Sequence, residues 1–215
     1  MNAHPPPATL APRRAADTLR ELADTGEGDF ITLDEILSAL GNHGFGLLIL
    51  VLALPNAIPG PIIPGFSVPF ALGIILVATQ LLQGQRRPLL PRWLRQRPIR
   101  RERFRRFVER ADPVLRRLDR WFKPRPAHFL KRSTERPVVL GSVLIVYAIV
   151  LALPIPLANG PQAFAICIIG LGLFEGDERV QTVGIAAGLV ATLLNAAVVV
   201  AGVQIFTHAF TFFGS

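Results

Sequence analysis

The sequence predicts an all-α integral membrane protein: two related broken-helix units, of half-helix or re-entrant character, with amphipathic interfacial helices beside them. Three observations carry that prediction. First, 51% of the residues are hydrophobic and mean hydropathy is +0.43. Second, charge is segregated, since residues 86–136 hold 19 of the 23 Lys and Arg but 5 of the 15 acids. Third, an apolar region is broken by Leu52-Ala-Leu-Pro-Asn-Ala-Ile-Pro-Gly-Pro-Ile-Ile-Pro-Gly65, and its opening returns in Leu151-Ala-Leu-Pro-Ile-Pro-Leu-Ala-Asn-Gly-Pro161. Phe70-Ala-Leu-Gly-Ile-Ile and Phe164-Ala-Ile-Cys-Ile-Ile then follow the two breaks with a shared pattern.

Residues 1–43 read as a cytoplasmic N-terminal segment. Residues 1–12 offer almost nothing to bury and read as disordered. No cleavable signal peptide is expected, because no apolar core precedes a small-residue cleavage site. Ala15–Ala23 places Leu19, Leu22 and Ala23 on one helical face. Thr32-Leu-Asp-Glu35 is a capping box, in which Thr32 caps the helix and Glu35 reaches back. Leu33, Ile36, Leu37 and Leu40 then follow at helical spacing, and Gly41 supplies the stop. Seven acids crowd Asp17–Glu35. A solvated face or a face turned to the basic segment explains them. His43 stands at the mouth of the first apolar run, as a pH-sensitive group or a plain helix-end residue.

Residues 44–85 form the first membrane repeat. Proline removes an amide donor and clashes with the preceding turn, so the break cannot be continuous helix. In hydrocarbon, such backbone is tolerated where it is buried in protein or lines a polar cavity. Gly44–Leu54 and Ala163–Phe174 are roughly 17–18 Å as helix, which suits half-helices better than full spans. Gly65–Leu82 falls just short of a span, whereas Val138–Leu157 and Val180–Phe206 reach it. Three full passes and two short ones are expected. Paired interruptions in two halves mark a transporter's binding site. Two Pro-rich turns at the membrane surface are the competing reading.

Residues 86–137 form a basic segment that the positive-inside rule holds in the cytoplasm. Its aromatic and aliphatic residues recur at helical spacing, and Asp112-Pro113 divides it into helices near 100–110 and 113–122. Arg101, Arg105, Arg106, Arg116, Arg117 and Arg120 opposite Phe and Trp suit an anionic lipid surface. Nucleic acid is the rejected alternative, since no recognition module accompanies the basic patch.

Residues 138–215 hold the second repeat and the C-terminal transmembrane helix. Tyr147 lies mid-span and needs a partner for its hydroxyl. The lone Cys167 reads as a small buried hydrophobe. Gly184, Gly188, Thr192, Asn195 and Gly202 fall near one face, suited to close helix contact and to a homo-oligomer. The candidate substrate contacts are Pro55, Asn56, Pro59 and Gly60 in the first break, and Asn159, Gly160 and Gln162 in the second. Asn195 in the last helix completes the set. Bonding to freed backbone, or helix-to-helix glue, is the competing role for each amide. Glu175, Asp177 and Glu178 are candidate ion or proton sites if their turn enters a cavity, and helix-capping acids if it does not. No catalytic set, metal cluster or cofactor motif is evident.

The capped Ile31-Thr-Leu-Asp-Glu-Ile-Leu37, the Gly44-Phe-Gly-Leu-Leu run and the Leu54-Pro-Asn-Ala-Ile-Pro-Gly-Pro-Ile-Ile-Pro-Gly core resemble the bacterial ExoD family. The second Leu153-Pro-Ile-Pro-Leu-Ala-Asn-Gly-Pro motif and Gly172-Leu-Phe-Glu-Gly-Asp do so as well. The resemblance spans roughly residues 15–210. It implies a bacterial inner-membrane protein associated with exopolysaccharide production, and gives a process rather than a mechanism. The leading expectation is a small transporter or permeation protein with a polar site between the two breaks. A non-transporting partner of polysaccharide-synthesis proteins is the alternative, followed by an enzyme acting on a lipid-linked precursor.

Overall fold

A computed structural model describes residues 15–25, 28–58, 65–106, 108–109, 136–153 and 159–213. Among the described residues the fold is all-helical apart from one two-stranded sheet. In chain order it has α1 (Ala15–Thr25), β1 (Phe30–Thr32), α2 (Leu33–Leu40), α3 (His43–Ala57), α4 (Ser67–Leu82) and α5 (Arg92–Arg95). It continues with β2 (Pro98–Arg100), α6 (Arg136–Ala152), α7 (Asn159–Glu175) and α8 (Glu178–Phe213). Residues 101–106 and 108–109 are also helical. The expectations for residues 1–12, for a helix near 113–122 and for Asp112-Pro113 lie outside the described residues.

Four helices, α3, α4, α6 and α7, enclose the main core around Phe45, Ile49, Ile74, Leu144, Leu151, Ile166 and Ile169. Glycines let their backbones meet. A Cβ on Gly46 would lie 2.5 Å from the Gly170 carbonyl oxygen, so the start of α3 abuts the end of α7. A Cβ on Gly141 would lie 2.8 Å from the Ala78 carbonyl, so the start of α6 abuts the end of α4. Both pairs are therefore antiparallel. Asn159, opening α7, bonds Ser67, opening α4. The interrupted hairpins α3–α4 and α6–α7 thus point the same way, with both interruptions at one end of the bundle.

At the other end sits a cap. Strand β1 pairs antiparallel with β2 through Phe30–Arg100, Ile31–Ile99 and Thr32–Pro98, a link that three-residue strands do not announce in sequence. Leu19, Ala23, Ile31, Ile36, Leu40, Phe104 and Val108 make a second core, which Phe174 of α7 joins. Helix α2 begins with the expected box: Thr32 Oγ1 accepts from the Glu35 amide and Glu35 accepts from the Thr32 amide. It splits its apolar face, sending Ile36 and Leu40 into the cap and Leu37 into the bundle.

Several boundaries differ from the sequence expectation. Helix α3 continues through Pro55 to Ala57, so the chain breaks one turn later than expected. Helix α4 starts at Ser67 because Pro69 lies in its first turn, where a missing amide costs no intrahelical bond. Helix α7 accepts Pro161 in its first turn for the same reason. The apolar run 138–157 is not one helix, since α6 ends at Ala152 ahead of Pro154. Among the described residues one helix is long and apolar enough to cross a membrane, Glu178–Gln204 within α8. His43–Ala57, Ser67–Leu82 and Pro137–Ala152 are shorter apolar helices.

Candidate functional site

Polar side chains are scarce inside the bundle and gather at the interrupted end. Asn56 lies in the last turn of α3, and Asn159 and Gln162 lie in the first turn of α7. Gln162 is 0% exposed and Asn195 of α8 is 2% exposed. The Asn159 amide donates to Ser67 Oγ at 3.0 Å, and Thr192 Oγ1 donates to Gln162 Oε1 at 3.3 Å. The register set by Gly46 against Gly170 brings Asn56 level with Gln162 across the antiparallel pair. Asn195 follows Thr192 on the same face of α8, one turn farther on.

These bonds use one atom each of Asn159 and Gln162 and leave other amide atoms without partners. Asn56 Nδ2, Asn159 Oδ1, Gln162 Nε2 and both amide atoms of Asn195 are buried without a hydrogen-bond partner among the described residues. A buried polar atom left unpaired costs about 1–3 kcal/mol. Gly160, beside Asn159, has nothing within 4 Å of where a Cβ would sit among the described residues. Pro59 and Gly60 lie outside the described residues. Ser67 and Thr192 complete the cluster, and sequence reasoning did not name either as a site residue. Their hydroxyls carry no motif and matter only because the fold places them against Asn159 and Gln162.

The acids fall elsewhere. Glu175 ends α7 and Glu178 opens α8, at the cap end of the bundle, so they and the amides do not form one site. Gly176 takes a left-handed φ of 69° and the Asp177 amide donates to the Gly172 carbonyl, which closes α7. Asp177 Oδ1 accepts from the Arg179 and Val180 amides and so caps α8. Beside this turn, His43 Nδ1 donates to the Phe174 carbonyl at 2.7 Å. Gln181, also buried, gives its side-chain amide to the Gly172 carbonyl.

Among the described residues of the basic segment, several arginines pair within the chain. Arg101 donates to the carbonyls of Gly28 and Leu22, tying the segment to the N-terminal elements. Arg105 bridges Asp24 and Glu109, and Arg106 pairs with Glu102. Phe104 and Val108 are buried in the cap, so this part of the amphipathic face packs on the chain's own α1 and α2. Arg116, Arg117 and Arg120 lie outside the described residues. Arg95 holds Asp34 at 2.9 Å. That hydrogen bond keeps the Asp34 carboxyl below the usual carboxylate range and raises the Arg95 guanidinium.

The small-residue face of α8 is largely occupied within the chain. A Cβ on Gly184 would meet Ile169, and one on Gly188 would meet the Tyr147 ring, whose hydroxyl donates to the Ile185 carbonyl. Gly202 has open space around it. The expected self-association surface is thus taken up by α7 and α6 at its first two glycines. Cys167 is half-buried against the bundle core. Among the described residues no group of three His, Cys, Asp or Glu side chains could hold a metal ion.

Comparison with known proteins supplies the family. The model of the family described as exopolysaccharide synthesis, ExoD, matches residues 15–197. Protein ExoD of Rhizobium meliloti is 31% identical over 170 residues, covering 77% of this chain and 69% of that protein. An uncharacterized protein of Synechocystis is 30% identical over 179 residues, covering 83% of this chain and 82% of its own length. No solved structure matches the chain.

Proposed function

This chain belongs to the ExoD family, associated with exopolysaccharide synthesis, and from that premise we propose a bacterial inner-membrane permeation protein with its polar site at the interrupted end. The carrying observation is the set of buried amide atoms on α3, α7 and α8 without partners among the described residues, beside the Asn159–Ser67 contact that joins the helices flanking the two interruptions. An apolar surface around the bundle supports the membrane setting. Leu72, Phe164, Val190 and Leu193 are each at least 60% exposed, and many neighbours on α3, α4, α6 and α8 are similarly bare. Apolar area of that extent is what lipid covers.

The two hairpins read as one unit used twice. Leu52-Ala-Leu54 lies near the end of α3 as Leu151-Ala-Leu153 lies at the end of α6, each followed in sequence by proline. The exchanged pairing of α3 with α7 and of α4 with α6 is what a two-fold relation between such units produces. The relation is parallel rather than inverted, since both interruptions share one end. With the basic segment in the cytoplasm, that end faces outward.

The test is exopolysaccharide output in a producing host that lacks its own copy of the protein. Gln162→Ala and Asn195→Ala should lower output at least tenfold at unchanged membrane abundance. Wild-type output from both variants overturns the reading.

A further inference from the structure

We infer that the amide cluster binds an uncharged, hydroxyl-rich ligand, a sugar unit, which reaches it from the face opposite the cap. The inference deepens the permeation reading and rests on it. Among the described residues, three open donors, on Asn56, Gln162 and Asn195, stand with two open acceptors, on Asn159 and Asn195. Burying such atoms unpaired costs more than a made hydrogen bond returns, so the set has a use for a ligand that both donates and accepts. A hydroxyl does both. A side-chain amide also presents its N–H and C=O side by side, which suits neighbouring hydroxyls on a sugar ring.

The distribution of charge favours an uncharged ligand. Residues 44–85, 137–174 and 180–207 contain no Asp, Glu, Lys, Arg or His. Both interruptions fall inside these ranges, so the sequence around them offers an ionised ligand no counter-charge in a region that solvates ions poorly. Among the described residues, the Asp and Glu side chains of the turn 175–179 lie at the cap end of the bundle.

Shape adds a separate argument. Phe66 and Phe70 form a tilted ring pair with centroids 5.1 Å apart, next to Ser67, and Phe66 is 42% exposed. An aromatic wall beside a few convergent polar groups is how a polar ligand with an apolar face is held. Gly160, which adjoins Asn159, has nothing against it among the described residues.

The experiment uses the full chain in lipid nanodiscs and calorimetric titration with a neutral glucose oligomer, the corresponding glucuronate oligomer and inorganic phosphate. The neutral oligomer should bind at least tenfold more tightly than either anion. Gln162→Ala, Asn195→Ala and the exposed Phe66→Ala should each weaken it at least tenfold. Phe66→Ala keeps the test decisive if an amide variant does not fold. Equal or tighter binding of an anion, no binding of the neutral oligomer, or unchanged binding by folded variants overturns the assignment. Exopolysaccharide output separates the two levels. Variants that lose output in a protein that binds no sugar sink the ligand class alone, and preserved output sinks the permeation reading beneath it.

Discussion

At the scale of single residues, the firmest electrostatic prediction concerns Asp34. Its carboxyl is held low by the Arg95 hydrogen bond, so the folded chain binds that proton less readily than the unfolded chain does. The pair therefore contributes its stability above the ordinary carboxylate pKa and loses it as pH falls through the folded value. Thermal unfolding of wild type and Asp34→Asn should differ by a constant margin from neutrality down to about pH 4, then converge in more acid solution. A margin that grows on acidification would contradict the pairing. The pair is exposed, so the margin should be small. The sequence shows acids in the N-terminal segment and arginines after residue 86. It does not show which of them meet, because the β1–β2 pairing that sets Asp34 against Arg95 has no periodic signature.

Elements carry the next level. The α3–α7 contact depends on Gly46, where a Cβ would strike the Phe174 backbone nitrogen and the Gly170 carbonyl. Backbone cannot rotate away as a side chain can, so Gly46→Ala should lower stability by about 1–3 kcal/mol. Gly202→Ala has open space and a better helix former, so it should leave stability unchanged or raise it by up to about 1 kcal/mol. Unfolding of both variants in the same detergent checks the contrast, and equal losses would mean that α3 and α7 do not pack at this register. Elements with local signals were legible. Thr32 and Glu35 announce α2, and the glycine and acid at 176–177 announce the turn before α8. Helix ends near proline were less so, because proline breaks an interior but suits a first turn. Pro69 and Pro161 therefore sit inside helices that composition alone would shorten.

Over the whole molecule, the duplicated Leu-Ala-Leu-Pro and the two asparagines pointed to a polar site between the interruptions. The structure brings Asn56, Asn159, Gln162 and Asn195 to one end and adds Ser67 and Thr192. What sequence left open was direction, since helix lengths fit parallel and inverted arrangements equally well. In the structure Gly46 meets the end of α7 and Gly141 the end of α4, so the ends of α3 and α6 lie at the same end of the bundle. The most direct test of a shared site is thiol accessibility in intact cells and in inverted vesicles. With Cys167 replaced by Ser, single cysteines go at Ile58 and Leu153, both exposed beside the interruptions, and at exposed Gln85 near the cap. An impermeant reagent should label positions 58 and 153 from outside only and position 85 from the cytoplasmic face only. Labelling of 58 and 153 from opposite faces would separate the two interruptions and contradict the account.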